Sequence, residues 1–283
     1  MSPQTLITDA RNTWCPGCGN FTIQFALRNA IQKLVDDGVA LETIVLVTGI
    51  GCHAKMADYL NINSFYSIHG RTIPVATGIK LANPGLTVIC CAGDGDAYAE
   101  GLDHLVFAAK RNSDITVIVH NNRVYGLTTG QYTPTSPLGF RGRSTPGGTV
   151  EAPFNPLTLM LTSGAGFIAR GTTRRMKELG DLISRGLRYR GFAFIDVLQI
   201  CATYFNVSGL YDRQGYALSG HDPADFEAAC RKAEEWDYNR DAPIAFGLFY
   251  RQEKPVFEEQ FDHRGLTAAD RGETIRAILD TKR

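Results

Sequence analysis

Two polar residues, Asp94 and Asn122, each follow a short apolar stretch and could meet in the folded chain. Residues 87–92 and 115–119 are rich in β-branched side chains, which predicts two buried strands. Parallel neighbouring strands of an open α/β sheet end at one edge, and such sheets bind their ligands at that edge. A carboxylate and an amide oxygen placed together there suit Mg²⁺, which also accepts phosphate oxygens and water as ligands.

The turn around Asp94 contains glycines that would let a phosphate group come close. Gly93 and Gly95 flank the carboxylate, and apolar residues at helical spacing follow over residues 102–111. The two glycines allow a diphosphate to approach the backbone, with the amino terminus of the predicted helix behind it. The glycines alone do not distinguish this diphosphate site from an ordinary acidic turn in a β-loop-α-β unit.

Four of the seven cysteines could share one metal centre. Cys15 and Cys18 bracket a Pro-Gly turn that directs both sulfurs at one point, and Cys52 and Cys201 each come just after a predicted strand. If those strands are parallel neighbours, the thiols lie at the same sheet edge as Asp94. Four thiolates bind either Zn²⁺ or a [4Fe-4S] cluster, and the single CxxC pair leaves both open.

The remaining pattern predicts an α/β fold with a mostly parallel sheet flanked by helices. Further strands are expected at residues 43–48, 164–169, 192–198 and 245–250, and helices at 21–36, 73–82, 176–189, 222–235 and 274–279. Residues 125–156 form a long stretch with five prolines after Thr133 and little periodicity. Long irregular segments are usually functional, so we expect this one to cover a ligand and contact another subunit.

Composition excludes several classes of function. Lys plus Arg equals Asp plus Glu at 29 each, so the charge balance indicates neither a nucleic acid partner nor an anionic membrane surface. No apolar run approaches a membrane span and the start of the chain lacks a signal-peptide layout, which predicts a cytoplasmic protein. An odd number of cysteines then indicates metal or redox chemistry in place of a disulfide framework. Cys90 and Cys91 lie inside a predicted strand and are expected in the core, and Cys230 is expected to be structural.

Residues 87–124 resemble the thiamine diphosphate fingerprint, which opens with GDG and closes with NN after about one βα unit. The resemblance implies a thiamine diphosphate-binding fold. It also implies that Asp94, the side chain of Asn122 and the carbonyl of Val124 complete a Mg²⁺ site with the diphosphate.

A wider set of motifs resembles the β subunit of 2-oxoacid:ferredoxin oxidoreductases. These motifs are WCPGCG, GIGCHAK, IHGR, GDGDAYAEG, NNRVYGLTTGQ and CATYF, and they occur in the family's order over residues 14–205. In that family the cysteines equivalent to Cys15, Cys18, Cys52 and Cys201 bind one [4Fe-4S] cluster beside thiamine diphosphate. The resemblance therefore favours a cluster over zinc.

The resemblance also implies a set of site residues. The cofactor-binding positions are Ile50, Gly51, Cys52, His69, Gly70, Gly93, Asp94, Gly95, Asp96, Asn122, Val124, Gly126 and Leu127. Lys55 and Leu127 match positions that shape the substrate pocket, although a surface position for Lys55 is an equal alternative. Thr129 stands where some members have a second lysine, and this departure puts the substrate range in doubt. In the family the activating glutamate comes from the α subunit, so Glu100 is interpreted as a helix-surface carboxylate.

The implied activity is the CoA-dependent oxidative decarboxylation of a 2-oxoacid, with electrons passed to ferredoxin. We expect 2-oxoglutarate to be converted to succinyl-CoA and CO₂, or the reverse, with pyruvate or a broad range of 2-oxoacids as the alternative. The chain should be active only with its α subunit, in an α₂β₂ assembly. Residues 1–205 are expected to form the thiamine diphosphate-binding domain with the cluster ligands, and residues 206–283 a C-terminal extension packed on it.

Two hypotheses of other classes remain open from the residues. A noncatalytic, zinc-stabilised partner module would use the cysteines without thiamine chemistry. A thiamine-dependent decarboxylase without electron transfer would use the GDG turn, but it has no role for the four cysteines.

Overall fold

The fold is an α/β sandwich built on one large sheet. The computed structural model describes residues 6–261 and 268–282, with the side chains of 268–271 excepted. The strands are β1 (Ile44–Thr48), β2 (Asn63–Tyr66), β3 (Thr87–Gly93), β4 (Thr116–Asn121), β5 (Val124–Tyr125), β6 (Gln131–Tyr132), β7 (Phe167–Thr172), β8 (Ala193–Leu198), β9 (Gly215–Ala217) and β10 (Ile244–Arg251). Eight of them form a sheet in the order β2-β1-β3-β4-β8-β7-β10-β9, and β5 pairs with β6 in a hairpin.

Helices cover both faces of this sheet. They are α1 (Asn20–Asp36), α2 (Met56–Tyr59), α3 (Thr72–Ala82), α4 (Leu102–Arg111), α5 (Pro156–Thr162), α6 (Met176–Leu187), α7 (Ser208–Gln214), α8 (Phe226–Glu234) and α9 (Ala268–Asp280). Helices α1 and α6 pack on one face, and α3, α4, α5 and α8 pack on the other. The pleat of β3 shows the division, because Cys91 faces the first core and Cys90 the second, both fully buried as predicted.

Four parallel neighbours at the centre of the sheet position the predicted site. Strands β1, β3, β4 and β8 are adjacent and run the same way, and Gly93 pairs in register with His120. Asp94, Asn122, Cys52 and Cys201 therefore follow neighbouring strands at one edge, as the sequence predicted. Such an edge is the usual ligand-binding side of an open α/β sheet.

The segment after residue 205 contributes to the same sheet. Strand β10 pairs antiparallel with β7 and parallel with β9, so both strands of this segment continue the sheet beyond β8. The predicted division into a domain of residues 1–205 and an extension of residues 206–283 stays a prediction. Residues 1–5 of the first range and 262–267 and 283 of the second lie outside the described residues. No helix among residues 6–261 and 268–282 is long and apolar enough to cross a membrane.

The helix expected at 274–279 spans Ala268–Asp280, and two further boundary differences follow from local hydrogen bonding. The strand expected at 164–169 begins only at Phe167, because an unpredicted helix, α5, ends at Thr162 and the amide of Gly164, with φ of +85°, still donates to the Leu161 carbonyl. The helix expected from Asp222 begins at Phe226, because Asp225 is its N-cap and accepts a hydrogen bond from the Ala228 amide at 2.9 Å. Asp222 instead closes a turn by accepting from the amide of Ala224.

Candidate cofactor site at the sheet edge

An open cavity lies at the carboxyl ends of the central strands. Of the predicted cofactor-binding residues, its lining includes Ile50, Gly51, Cys52, His69, Gly93, Asp94, Gly95, Asp96, Asn122, Val124, Gly126 and Leu127. Gly70 is not part of this lining, but its amide donates a 2.7 Å hydrogen bond to Asp96 Oδ1. The structure therefore brings the predicted set together around one opening.

Asp94 is a buried carboxylate whose charge has no cationic partner among the described residues. Its side chain is 2% exposed, and its Oδ2 accepts a hydrogen bond from Thr135 Oγ1 at 3.1 Å. Burial raises the pKa of Asp94 to about 7. A divalent cation would relieve the cost of this buried charge, so the residue fits the predicted role of Mg²⁺ ligand.

The backbone turns at Asn122, the second residue predicted to bind Mg²⁺. Asn122 Oδ1 accepts a hydrogen bond from the Val124 amide at 3.0 Å, and Arg123 between them has φ of +64°. An amide oxygen has two lone pairs, so Asn122 Oδ1 keeps one for a metal ion. Asn122, Val124 and Asp94 all line the same cavity.

Two glycines of the cavity wall have no room for a side chain. A Cβ atom on Gly93 would lie 2.8 Å from His53 Nδ1, and one on Gly95 would lie 2.2 Å from a ring carbon of Tyr125. Both distances are shorter than real Cβ contacts. The bare backbone at these positions fits the predicted cradle for a diphosphate.

Asp96 is buried between two imidazoles. His53 Nε2 lies 3.4 Å from its Oδ2 and His69 Nδ1 lies 3.0 Å from its Oδ1, while Thr72 Oγ1 donates to Oδ2 at 3.2 Å. Burial opposes ionisation, but the contacts with His53 and His69 outweigh it and hold the pKa of Asp96 below its usual range. In turn, Asp96 raises the pKa of His69. Because both Asp96 oxygens face His53, His69 or Thr72, a direct contact of Asp96 with the cofactor stays a prediction.

The connection between the GDG turn and α4 was not predicted in detail. Residues Asp96–Glu100 form a π-helical turn, a feature often found at functional sites. Glu100, expected as a helix-surface carboxylate, is partly exposed and accepts hydrogen bonds from Tyr125 Oη at 2.9 and 3.1 Å. Its Oε2 also lies 3.5 Å from His69 Nδ1.

The four predicted cluster ligands lie near one another, and Cys52 lines the cavity. A Cβ atom on Gly126 would lie 3.6 Å from Cys201 Sγ and 3.7 Å from Cys52 Sγ. Burial raises the pKa of Cys18 to about 11, and the other three thiols add to the increase. All four are free thiols. The quartet therefore shares one electrostatic environment at the site.

The arrangement of side chains is not that of a single-ion site. A tetrahedral zinc site holds sulfurs within about 3.8 Å of one another, given Zn–S bonds of about 2.3 Å. Among residues 6–261 and 268–282, no three His, Cys, Asp or Glu side chains are placed to hold one metal ion. Four cysteine thiols are a donor set that a [4Fe-4S] cluster accepts, and the cluster stays a prediction.

The two predicted substrate-pocket residues differ in position. Leu127 lines the cavity and is 47% exposed. Lys55 is not part of the lining, and its Nζ donates a 2.9 Å hydrogen bond to Thr13 Oγ1. Lys55 is nevertheless close enough to Cys52 for its charge to oppose the increase that burial causes in the pKa of that thiol.

Sequence reasoning missed several residues that complete the cavity wall, among them His120 and Gln199. His120 is 1% exposed, its Nδ1 lies 2.8 Å from Asn20 Oδ1, and burial holds its pKa well below the usual range. Its Nε2 and the Oε1 of Gln199 are buried without a hydrogen-bond partner among the described residues. The sequence could have indicated both residues by position, since each directly follows a predicted strand of the sheet.

Comparison with known proteins agrees with this geometry. Residues 49–197 match the family described as thiamine pyrophosphate enzyme, C-terminal TPP binding domain, thiamine pyrophosphate being another name for thiamine diphosphate. Residues 201–264 match the family described as the C terminal of the pyruvate ferredoxin oxidoreductase beta subunit. The β subunit of a 2-oxoacid:ferredoxin oxidoreductase from Saccharolobus solfataricus is 41% identical over 274 residues, which cover 92% of this chain and 88% of that protein.

The chain belongs to the β subunits of 2-oxoacid:ferredoxin oxidoreductases. This β subunit is also 43% identical over 192 residues to a 2-oxoglutarate synthase subunit KorB from Methanothermobacter thermautotrophicus, covering 68% of this chain and 66% of that protein. A solved 2-oxoglutarate:ferredoxin oxidoreductase from Magnetococcus marinus, with 2-oxoglutarate, coenzyme A and succinyl-CoA bound, matches with a TM-score of 0.87. That chain is 30% identical, and the match covers 98% of this β subunit and 96% of that chain. The predicted family, enzyme class and thiamine diphosphate-binding fold are confirmed.

Proposed function

We propose that this β subunit, together with an α subunit, catalyses the CoA-dependent oxidative decarboxylation of a 2-oxoacid and passes the electrons through one [4Fe-4S] cluster to ferredoxin. The observation that carries this proposal is the contact between the two predicted cofactor sites. Gly126 and Cys52 line the cavity that contains Asp94 and Asn122, and a Cβ atom on Gly126 would touch the sulfurs of both Cys52 and Cys201. Thiolates this close to a thiamine site have a purpose in electron transfer and none in simple decarboxylation.

Each cofactor has residues suited to hold it. Asp94, Asn122 Oδ1 and the Val124 carbonyl would bind Mg²⁺, and the backbone at Gly93 and Gly95 would accommodate the diphosphate. Cys15, Cys18, Cys52 and Cys201 would hold the cluster. When bound, thiamine diphosphate supplies the carbanion that attacks the 2-oxo carbon, and the cluster accepts electrons singly.

The remaining cavity residues orient groups and exclude water. Asp96 fixes the imidazoles of His53 and His69, so that both rings present a defined nitrogen at the wall. Glu100 is engaged by Tyr125, which leaves the activation of the thiamine ring to a glutamate of the α subunit. A subunit that depends on this glutamate would be inactive alone, and the α₂β₂ assembly is part of the proposal.

We further propose 2-oxoglutarate as the substrate, with succinyl-CoA and CO₂ as products in the oxidative direction. The names of the KorB relative and of the Magnetococcus marinus enzyme support this choice. Lys55 would contribute a positive charge near the substrate's distal carboxylate, and Leu127 would bound the pocket. Pyruvate or a broad range of 2-oxoacids is the alternative, and the name of the family matched by residues 201–264 supports pyruvate.

The domain organisation follows the same division of roles. Residues 1–205 would form the cofactor-binding domain and residues 206–283 its extension. Because β9 and β10 continue the sheet of β7, the extension would pack as part of one body.

An anaerobic activity assay tests the proposal. The β subunit is co-purified with its α subunit, and viologen reduction is followed across a panel of 2-oxoacids with and without CoA. We expect CoA-dependent reduction with 2-oxoglutarate. Reduction with pyruvate, or with many 2-oxoacids, would keep the enzyme class and reject the substrate. If a complex containing iron, sulfide and thiamine diphosphate reduces viologen with none of them, the proposed function is wrong.

A further inference from the structure

A series of buried polar groups within hydrogen-bond distance of one another leads away from the proposed Mg²⁺ ligand Asp94. Thr135 Oγ1 lies 3.1 Å from Asp94 Oδ2 and 2.9 Å from Asn121 Oδ1. Thr135 and Asn121 are both fully buried. The Nδ2 of Asn121 then donates to Asp196 Oδ1 at 3.0 Å, so the series crosses from β4 to the neighbouring strand β8.

Asp196 is the centre of this series. Besides Asn121, it accepts hydrogen bonds from Tyr98 Oη at 2.7 Å and from Tyr238 Oη at 2.5 Å. It is fully buried, and so is Arg170, whose Nε donates to Tyr238 Oη at 3.3 Å. A buried carboxylate satisfied by three donors is held in one orientation, because any rotation would break a hydrogen bond that water cannot replace.

Tyr238 connects this series to the C-terminal segment. It lies between α8 and β10, has φ of +65°, and stacks on Trp236 with ring centroids 4.4 Å apart. Arg170 lies against the rings of Trp236, Tyr238 and Phe249 at 4.9–5.3 Å. The phenol of Tyr238 is therefore fixed by its own packing and cannot follow Asp196 freely.

A second connection runs beside the first. Arg123 is 2% exposed, its Nε donates to the Thr135 carbonyl at 2.7 Å, and its Nη2 donates to the Tyr238 carbonyl. The same guanidinium lies 5.5 Å from the ring of Trp236. Arg123 therefore bridges the backbone carbonyls of Thr135 and Tyr238, in addition to the side-chain route through Asn121 and Asp196.

The hydroxyl of Thr135 has one proton, so it donates to only one of its two acceptors at a time, and Asn121 Oδ1 competes with Asp94 Oδ2 for that proton. Because Asn121 Nδ2 donates to Asp196, the side-chain amide of Asn121 is held with its nitrogen toward Asp196 and its oxygen toward Thr135. The orientation of Thr135, and through it that of the Asp94 carboxylate, thus depends on groups that begin at Tyr238. Partners of this kind commonly change metal affinity by 10–100-fold when removed.

We infer that Tyr238, acting through Asp196, Asn121 and Thr135, is a positioning residue for Asp94, and that the C-terminal segment is thereby part of the Mg²⁺-thiamine diphosphate site. The inference rests on the proposed role of Asp94 as a metal ligand. It extends that role to a segment whose described residues, 206–261 and 268–282, do not line the cavity.

The test is a double-mutant cycle on affinity, measured by calorimetric titration of MgCl₂ and thiamine diphosphate into the cofactor-depleted complex with the α subunit. Thr135→Val should weaken binding by about 10–100-fold and Thr135→Ser should restore it. Tyr238→Phe should weaken binding by about 10-fold. In the Thr135→Val background Tyr238→Phe should have little further effect, because the connection is already cut.

Tyr189→Phe is the matched control. Tyr189 is also a buried tyrosine, but its Oη donates to the Gln252 carbonyl and has no link to Asp94. The Tyr189→Phe variant should lower the midpoint of denaturation, as Tyr238→Phe does, but leave the affinity for Mg²⁺ and thiamine diphosphate unchanged. Tyr98→Phe, which removes a different donor to Asp196, serves as the second variant if Tyr238→Phe fails to assemble.

The outcomes separate this inference from the proposed function. If the wild-type complex binds thiamine diphosphate but the Tyr238→Phe and Tyr98→Phe variants bind as tightly, the positioning role is wrong and the proposed function stands. Fully additive effects of Thr135→Val and Tyr238→Phe would also overturn it. If the wild-type complex shows no Mg²⁺-dependent binding, the proposed function fails and this inference fails with it.

Discussion

Replacing Asp94 by asparagine should stabilise the cofactor-free β subunit while removing its ability to bind Mg²⁺ and thiamine diphosphate. Burial raises the pKa of Asp94 from an ordinary 3.8 to about 7. At about 1.4 kcal/mol for each pH unit, this difference means that the folded chain loses about 4 kcal/mol when the carboxyl ionises. The buried amide of the substituted asparagine would itself lose hydrogen bonds to water worth about 1–3 kcal/mol, so the net gain should be about 1–3 kcal/mol.

The sign of the pH dependence follows from the same difference. The folded chain binds this proton more tightly than the unfolded chain, so the wild type loses stability as the pH rises from 3.8 to about 7. The advantage of Asp94→Asn should therefore be absent in acid and complete above about pH 7.

The assay is urea denaturation of the reduced, metal-free chain at about pH 8 and at about pH 4, with calorimetric titration of Mg²⁺ and thiamine diphosphate into the complex. Asp103→Asn is the control, because that side chain is 72% exposed and its loss should change stability by less than about 0.5 kcal/mol. An Asp94→Asn variant that is less stable than the wild type at the higher pH, or that binds the cofactor with wild-type affinity, would refute the reasoning.

Three further predictions concern the other parts of the site. Cys201→Ala should abolish ferredoxin reduction and lower the iron content while thiamine diphosphate still binds, and unchanged turnover would favour a decarboxylase without electron transfer. Lys55→Ala should raise KM for dicarboxylic 2-oxoacids more than for monocarboxylic ones, and an equal increase would reject its role in the substrate pocket. Asp96→Asn should lower the pKa of His69, measured by NMR titration of the metal-free chain, and an unchanged pKa would show that Asp96 does not control this imidazole.

The sequence predicted the sheet edge because its signals are local. Each β-branched run specifies a strand and each strand ends at a polar or sulfur-bearing residue, so the parallel order of β1, β3, β4 and β8 brings Asp94, Asn122, Cys52 and Cys201 together. This inference needs only strand identity and the rule that parallel strands end at one edge.

The partners of Asp96 could not be predicted in the same way. His53 comes from the turn after β1 and His69 from the loop after β2, and their distances to Asp96 depend on how these loops fold back over β3. No spacing in the sequence encodes that arrangement. Strand β2 itself was missed because it is a short edge strand whose four residues are all exposed.

Contacts made by the long irregular stretch at residues 125–156 could not be predicted from the sequence either. Residues 125–156 were expected to cover a ligand, and Thr135 within them contacts Asp94. Which threonine would make the contact depends on a turn without periodicity, so the sequence could indicate the segment and not the residue. The contact of this stretch with another subunit stays a prediction.

The central claim is that one cavity joins thiamine chemistry to a [4Fe-4S] cluster, and the most direct measurement is electron paramagnetic resonance of the anaerobic complex frozen after adding 2-oxoglutarate. With the wild type, the signal of a reduced cluster should appear on addition of substrate and depend on thiamine diphosphate. With Asp94→Asn, the cluster should be present and reducible by dithionite but should stay oxidised with 2-oxoglutarate. A signal of equal size in both proteins, or none in a wild-type complex that contains cluster and cofactor, would contradict the account.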